Sequence, residues 1–394
     1  MYHHMFKHLF KMIWNKKKQN FLLMSEMLIS FLVIFAVFTM LVYFYRNYKN
    51  PMGMITEDVW VINYNNTLKT SNKDSIMLFY DAVKSNIQSL PQVKSASFSS
   101  ANIPFTQNTM MNGTEYNGKQ ISPNFCNVDD DYIKTLQINL IAGRWFNKED
   151  INALKRPVVI NNTLKEEFFG AENPVGKYLG AEQDRKIIGV VDDTKMKGDY
   201  KISGNWLYDR IDSNSMPWAS RILVQVAPNA DAAFEGKLYK TVANMMKDSN
   251  IEIEHLSNKL KDINYFALVP MITMSIVACF LIINVALGLF GVLWYNINKR
   301  KAEIGLRRAV GATARAVSAQ LVAEAIILTT LSLVVGSFFA IQFPLLRVFD
   351  LPSGVYITGL LLAIAFIYVL VLICAFYPGK QAANIFPALA LHEE

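Results

Sequence analysis

The 394-residue sequence has three cysteines, and Cys279 and Cys374 lie inside long apolar runs. Only Cys126 falls in the polar middle of the chain, so no disulfide can form within that region. Its roughly 220 residues must hold together by an ordinary hydrophobic core, and they suffice for one or two. Histidine is nearly as scarce: His255 is the only one between the first two apolar runs. No H-E-x-x-H or G-x-S-x-G occurs, and no nucleic-acid-binding motif. Asp129, Asp130 and Asp131 form a carboxylate run with no His or Cys at metal spacing, which reads as a solvated turn. The stretch "GAENPVGKY" (170–178) approaches a phosphate loop, but five residues separate its first two glycines. Tyr178 also stands where a Ser or Thr hydroxyl would hold Mg²⁺, so it reads as a turn. The expectation is a chain with no catalytic residue, no metal site and no cofactor of its own.

Apolar residues, by contrast, are concentrated. Four stretches reach the length of about 20 apolar residues that a helix needs to cross a bilayer: 21–45, 266–297, 316–346 and 355–377. The first far exceeds the 7–15 residues of a cleavable signal core and has no A-x-A site after it, so a retained signal anchor is expected. Lys7, Lys11, Lys16, Lys17 and Lys18 precede it, and residues 298–315 between the second and third spans are equally basic. The short link from the third span to the fourth holds only Arg347 beside Asp350. The positive-inside rule then places the basic N-terminus (1–20), the 298–315 segment and the C-terminus (378–394) in the cytoplasm, and residues 46–265 outside. The net charge of +7 is largely this topology signal and does not suggest nucleic acid. The fold class expected is an α-helical membrane protein with four transmembrane helices and a large α+β domain inserted between the first and second.

Within the outer region, "EDVWVINYN", "SIMLFYDAVKSNIQSL" and "VKSASFSS" read as strand, helix and strand. "RILVQVA", "ADAAFEGKLYKTVANMM" and "IEIEHLS" repeat that order near the other end. β-α-β flanks at 57–100 and 219–258 around an inserted, strand-rich subdomain at 101–218 are the expectation; two unrelated domains in tandem is the alternative.

Polar residues inside spans are costly and mark function by default. Glu26 lies one turn inside the first span, within reach of Lys17 or Lys18; Asn284 is mid-span in the second; Glu324 is two turns into the third. Glu324 has no evident cationic partner at its depth, which favours an interhelical hydrogen bond over a proton relay. Gly288 and Gly291 with Ala286 suit close helix packing.

The basic segment "NKRKAEIGLRRAVGATARAV" (298–317) is helix-prone. On a helical wheel Ala302, Leu306, Ala309, Val310 and Thr313 share one face, and Arg300, Lys301, Arg307 and Arg308 the other, with Ile304 amid the cations. Glu303 is spaced for an i,i+4 pair with Arg307, and Gly311 for a C-cap. Gly305, at mid-helix, costs about 1 kcal/mol relative to Ala, so close approach by another surface is the plausible reason for it. Resting on anionic headgroups explains the cations. Docking of a cytoplasmic protein on Ile304 and Gly305 explains the isoleucine and the glycine. On the chemistry alone both stand.

"RKAEIGLRRAVGAT" with "QLVAEAIIL" closely resembles the segment between the second and third spans of MacB/FtsX-like ABC transporter permeases, and "INVALGLFGVLWYNINKR" extends the match. "AGRWFNKEDINALKRPVVINNTLKEEFFGAENPVGKYL" and "KIIGVVDDTK" resemble that family's periplasmic core domain. The resemblance implies that the 298–315 helix docks on an ATPase through Arg300, Glu303, Ile304, Gly305, Arg307, Arg308, Ala309 and Gly311. No Walker motif is present, so ATP–Mg²⁺ is expected in a separate cytoplasmic ABC ATPase subunit. The other expected partners are the lipid bilayer and a second permease copy or paralogue. A periplasmic adaptor and an outer-membrane channel are what an efflux role would add. The implied function is mechanotransmission for export from the inner membrane. The alternatives are an FtsX-like regulator of an envelope hydrolase, and a membrane-anchored receptor or scaffold without ATPase coupling.

Overall fold

A computed structural model describes residues 17–383 except 66, 67, 69, 71, 108 and 347. The lysines before residue 17 and the chain beyond 383 lie outside the described residues. In chain order the elements are α1 (Lys17–Lys49), β1 (Val59–Asn63), α2 (Lys73–Gln88), β2 (Val93–Ser99), β3 (Thr114–Tyr116), β4 (Lys119–Ile121), β5 (Asn124–Val128), α3 (Tyr132–Leu136) and β6 (Leu140–Gly143). There follow a 3-10 turn (Lys148–Asn152), β7 (Arg156–Asn161), α4 (Asn162–Phe169), β8 (Tyr178–Leu179), β9 (Arg185–Val191), β10 (Trp206–Arg210), β11 (Arg221–Val226), α5 (Ala232–Met245) and β12 (Glu252–His255). The last helices are α6 (Leu256–Lys299), α7 (Lys301–Ala309), α8 (Ala314–Leu345) and α9 (Ser353–Ala383). The chain divides into two compact units: Arg46–Ala267, and the segments on either side of it.

In the second of these, α1, α6, α8 and α9 are each long and apolar enough to cross a membrane. They are apolar all round rather than striped, the composition that hydrocarbon surroundings demand of a helix. Their shared core includes Phe31, Phe35, Leu289, Leu328 and Ile367. The close approach of α1 and α8 requires glycine at one point: a Cβ on Gly336 would sit 2.4 Å from the Phe31 ring.

Arg46–Ala267 is an α+β domain around one mixed ten-stranded sheet, ordered β12-β1-β11-β2-β5-β10-β7-β9-β6 with β8 on β9. Both faces are covered, and side-chain alternation divides each strand between two cores. From β1, Val59 and Val61 enter one core while Trp60 and Ile62 enter the other. The second of these holds Tyr80 and Val83 of α2 with Leu238 and Val242 of α5. A third core joins Val158 and Ile160 of β7 to Leu164 of α4 and Leu207 of β10. Side-chain caps begin the helices: Asn72 accepts from Ser75 N, Asn161 from Leu164 N, and Asp231 from Phe234 N.

The strands of residues 57–100 and 219–258 are neighbours, β12-β1-β11-β2, and the sheet then passes directly into the strands of 101–218. The passage is narrow: β2 and β5 are joined by the single pair Ser99↔Val128.

Candidate functional site

The basic segment forms α7, and Gly311 follows it at φ +103°, the left-handed conformation that lets the chain turn back into α8. A closed ring of polar contacts ties the two helices together. Arg300 donates from Nε to Glu303 at 2.9 Å and from Nη1 to Glu324 at 3.2 Å. Gln320 donates to Glu324 at 3.1 Å, and Arg307 donates to Gln320 at 2.8 Å. Arg307 also pairs with Glu303 at 2.5 Å, one helical turn back, which closes the ring. Glu324 therefore has a cationic partner. The expectation that it lacked one failed because Arg300 is brought to it by the turn between α7 and α8.

Ile304 is also not where the cationic face suggested. It is buried with Ile297, Val317 and Leu321 beneath the ring, and Gly305 beside it is buried as well. A helical wheel assigns residues to a shared face but not which face turns inward, and the ion pairs let the charged side lie against the protein. Besides Glu303, what α7 leaves exposed is its apolar side: Ala302 and Ala309 with Leu306 at 55 % and Val310 at 82 % exposure. Arg308 lies half-buried on the other side.

The remaining intramembrane polar residues act locally. The Glu26 carboxylate lies against α6 at Gly288, where a Cβ would come within 2.8 Å of it. Its suggested partners, the Lys17 and Lys18 side chains, lie outside the description. Asn284 donates back to Phe280 O of its own helix at 2.8 Å.

A second site, within Arg46–Ala267, was not legible as a motif. The loop after β9, "TKMKGDY" (194–200), grips the helical residues at both ends of this unit. Asn47 of α1 donates to Tyr200 O at 2.9 Å, and the Tyr48 and Tyr200 rings stack at 6.0 Å. Lys195, 3 % exposed, points its ammonium at Tyr48 O, 3.4 Å away in the last turn of α1. That is the negative end of the helix dipole, suited to a cation, while burial pulls the Lys195 pKa down. On the other side Asn264 of α6 exchanges two hydrogen bonds with Asp199, accepting from its N–H at 2.9 Å and donating to its carboxylate at 2.6 Å. Gly198 makes room at φ +90°, since a Cβ there would meet Asn264 Oδ1 at 2.7 Å. The loop is anchored in the domain in turn: Lys195 N–H donates to Met52 O, Phe105 N–H to Met196 O, and the Asp193 carboxylate accepts from Thr163 N–H at the start of α4.

The carboxylate run at 129–131 is not a solvated turn. Asp129 accepts from Ser97 Oγ at 2.6 Å, from Phe98 N–H at 2.9 Å and from Lys84 Nζ at 2.8 Å. Lys84 also pairs with Asp131 at 2.6 Å, and Arg210 holds Asp130 through two bonds of 2.7 and 2.8 Å. Burial raises the Asp129 pKa despite these contacts. Burial works against the Lys84 charge, but the two carboxylates outweigh it and raise its pKa. Among the described residues no group of His, Cys, Asp and Glu is placed to hold a metal ion.

Two family models match the chain: a MacB-like periplasmic core domain over residues 21–238 and an FtsX-like permease C-terminal domain over 275–387. Macrolide export ATP-binding/permease proteins MacB of Escherichia coli O157:H7 and of Shigella flexneri are each 26 % identical over 293 residues, 71 % of this chain and 45 % of theirs. The chain thus spans about half the length of the curated relatives it matches. Among solved structures, the periplasmic region of MacB from Actinobacillus actinomycetemcomitans is similar at a TM-score of 0.38 and 14 % identity, covering 56 % of this chain and 98 % of that one. The extracellular domain of the ABC-type transporter YknZ from Gram-positive bacteria is similar at a TM-score of 0.34 and 16 % identity, covering 49 % and 99 %.

Proposed function

This chain belongs to the ABC-transporter permeases that join a MacB-like periplasmic core domain to an FtsX-like permease domain, and from that membership we propose that it transmits mechanical work from a cytoplasmic ATPase to its outer domain. The ATPase binds ATP–Mg²⁺ on the cytoplasmic side; the permease acts as a pair, with both termini and α7 in the cytoplasm. ATP binding draws the two α7 helices together. A ligand shifts such an equilibrium only by its differential affinity for the two states, so the α7 contacts must strengthen on closure. The consequence outside is a rearrangement that exports an envelope substrate without passage between the spans.

The observation that carries this reading is the 194–200 loop. It bonds residues 47 and 48 directly outside the first span and residue 264 directly before the second. A displacement arriving along either helix therefore reaches the same loop, and through Met52, Phe105 and Thr163 the core of the sheet. On the other side of the membrane the docking surface is the exposed face of α7, Ala302, Leu306, Ala309 and Val310, held in place by Ile304 and the ring around Glu324. Gly305 lies buried beside Ile304, behind that face.

The test is a mild-detergent pull-down of the tagged permease from its native cells, with mass spectrometry. An ABC ATPase should co-purify with wild type and be lost with Leu306→Glu and Val310→Glu, while both variants insert normally. If no ATPase appears even with a non-hydrolysable ATP analogue, mechanotransmission fails, and a receptor or scaffold takes its place.

A further inference from the structure

The sheet of the outer domain has a seam where β2 and β5 meet through one residue pair, and a cleft of about 520 Å³ opens beside it. The volume falls in the range of small-molecule sites, roughly 300–1,000 Å³. Its position fits a binding site as well. β5 and β10 are parallel, and residues just past their C-terminal ends, Asp129–Asp131 after β5 and Ile211 and Met216 after β10, line the cleft. In open α/β sheets, ligands bind in the crevice outside the carboxyl ends of the strands, and this cleft has the same placement relative to the β5–β10 pair.

The lining has three parts. The floor is charged but paired within itself: Lys84 with Asp129 and Asp131, Arg210 with Asp130. It is a fixed array of donors and acceptors, not a sink for one sign of charge. The walls are apolar, with Met77, Phe146, Ile151 and Met216. The rims carry one charge each. Asp81 stands on α2 and Lys148 on the 3-10 turn, both exposed, and neither has an ion pair among the described residues. One rim belongs to each half of the sheet.

We propose that this cleft binds a short apolar peptide, or a molecule of the same chemistry, with a free ammonium at Asp81, a free carboxylate at Lys148, its main-chain amides over the paired floor and its side chains between the apolar walls. A fully cationic or anionic ligand would leave one rim opposed to it. A hydrocarbon would strip water from the floor's remaining donor and acceptor positions and replace none of it, at a desolvation penalty it could not recover. The volume suits two or three residues rather than one. The proposal is independent of ATPase coupling and holds equally for a permease or for a receptor built on this domain.

The experiment is equilibrium dialysis of the full chain in detergent micelles against a pool of tripeptides of Leu, Ile, Val, Phe and Met, read by mass spectrometry with empty micelles subtracted. A second pool is the same set N-acetylated and C-amidated. The free pool should be retained saturably and the capped pool, which loses both end contacts, about a hundredfold less. Asp81→Asn and Lys148→Gln should each lower retention of the free pool about tenfold, the loss of one charge-assisted contact. Their melting temperatures should match wild type, and Lys237→Gln, an exposed charge on α5, should leave retention unchanged. Equal retention of the two pools, indifference to both rim variants, or no saturable retention would each overturn the proposal.

Discussion

Arg300 and Glu324 are 24 residues apart in sequence, yet the guanidinium of one lies 3.2 Å from the carboxylate of the other, on the helix after the turn. Glu324 is thereby a strut for α7. Arg300 is shared between it and Glu303, and hydrogen bonding to Glu303 raises its pKa further.

A strut couples its two ends energetically. Arg300→Met and Glu324→Gln should each destabilise the full chain in micelles by about 1–3 kcal/mol, the cost of stripping a partner from a half-buried charge. The double variant should cost less than the sum by 0.5 kcal/mol or more. Additive losses would mean that the contact does not hold the helix.

The four spans could be read from the sequence because bilayer thickness dictates their length, and the family run around Glu303 and Arg308 marked where α7 would be. The orientation of α7 could not be read. Ile304 and Leu306 are equally apolar, and it is contacts made across a turn, the Arg300–Glu324 ring and the packing of Ile304 on Val317 and Leu321, that leave the first covered and the second exposed. Asp129 misled for a related reason. Three adjacent carboxylates resemble a solvated turn unless Lys84 and Arg210, on other elements, are known to reach them. The loop at 194–200 was invisible because its contacts rest on the backbone carbonyls of Tyr48 and Tyr200 and on two asparagines, Asn47 and Asn264, none of which carries a pattern.

That loop can be tested without reference to any partner. Gly198→Ala places a methyl where Asn264 Oδ1 and Ile263 Cγ2 already lie within 3 Å, at a φ that alanine resists. It should cost about 1–3 kcal/mol. Asn264→Ala should loosen the same loop, seen as faster amide exchange at 195–200. In that background Gly198→Ala should cost less, because one of the two clashing atoms is gone. Equal cost in both backgrounds would refute the contact.

The orientation of the outer domain needs a reporter other than Cys126. That thiol is fully buried, and burial raises its pKa to about 11, so it should stay silent toward maleimide until the domain unfolds. Leu154→Cys, at a side chain wholly exposed, should react at once with a membrane-impermeant maleimide added outside intact cells, in a background with Cys279 and Cys374 changed to Ala. Labelling only after permeabilisation would reverse the topology.

Asp150 gives the domain a defined acid response. Arg144 holds its carboxylate with two bonds of 2.7 and 2.6 Å, and Asn147 N–H adds a third at 2.9 Å. The Arg144 bonds are the largest cause of its lowered pKa, with the Asn147 bond adding to them against burial. A carboxyl whose pKa is lower folded than unfolded stabilises fully above the unfolded value, about 3.9. That stability is lost as pH falls through the folded value. Asp150→Asn should thus be less stable than wild type at pH 7 by about 1–3 kcal/mol, the worth of charge-assisted hydrogen bonds. The gap should close as pH drops from about 5 toward 2, because protonated Asp150 then resembles the amide. Differencing the two proteins cancels every other titrating group. A gap that persists undiminished at low pH would show that Asp150 acts through packing of the 3-10 turn and not through its charge.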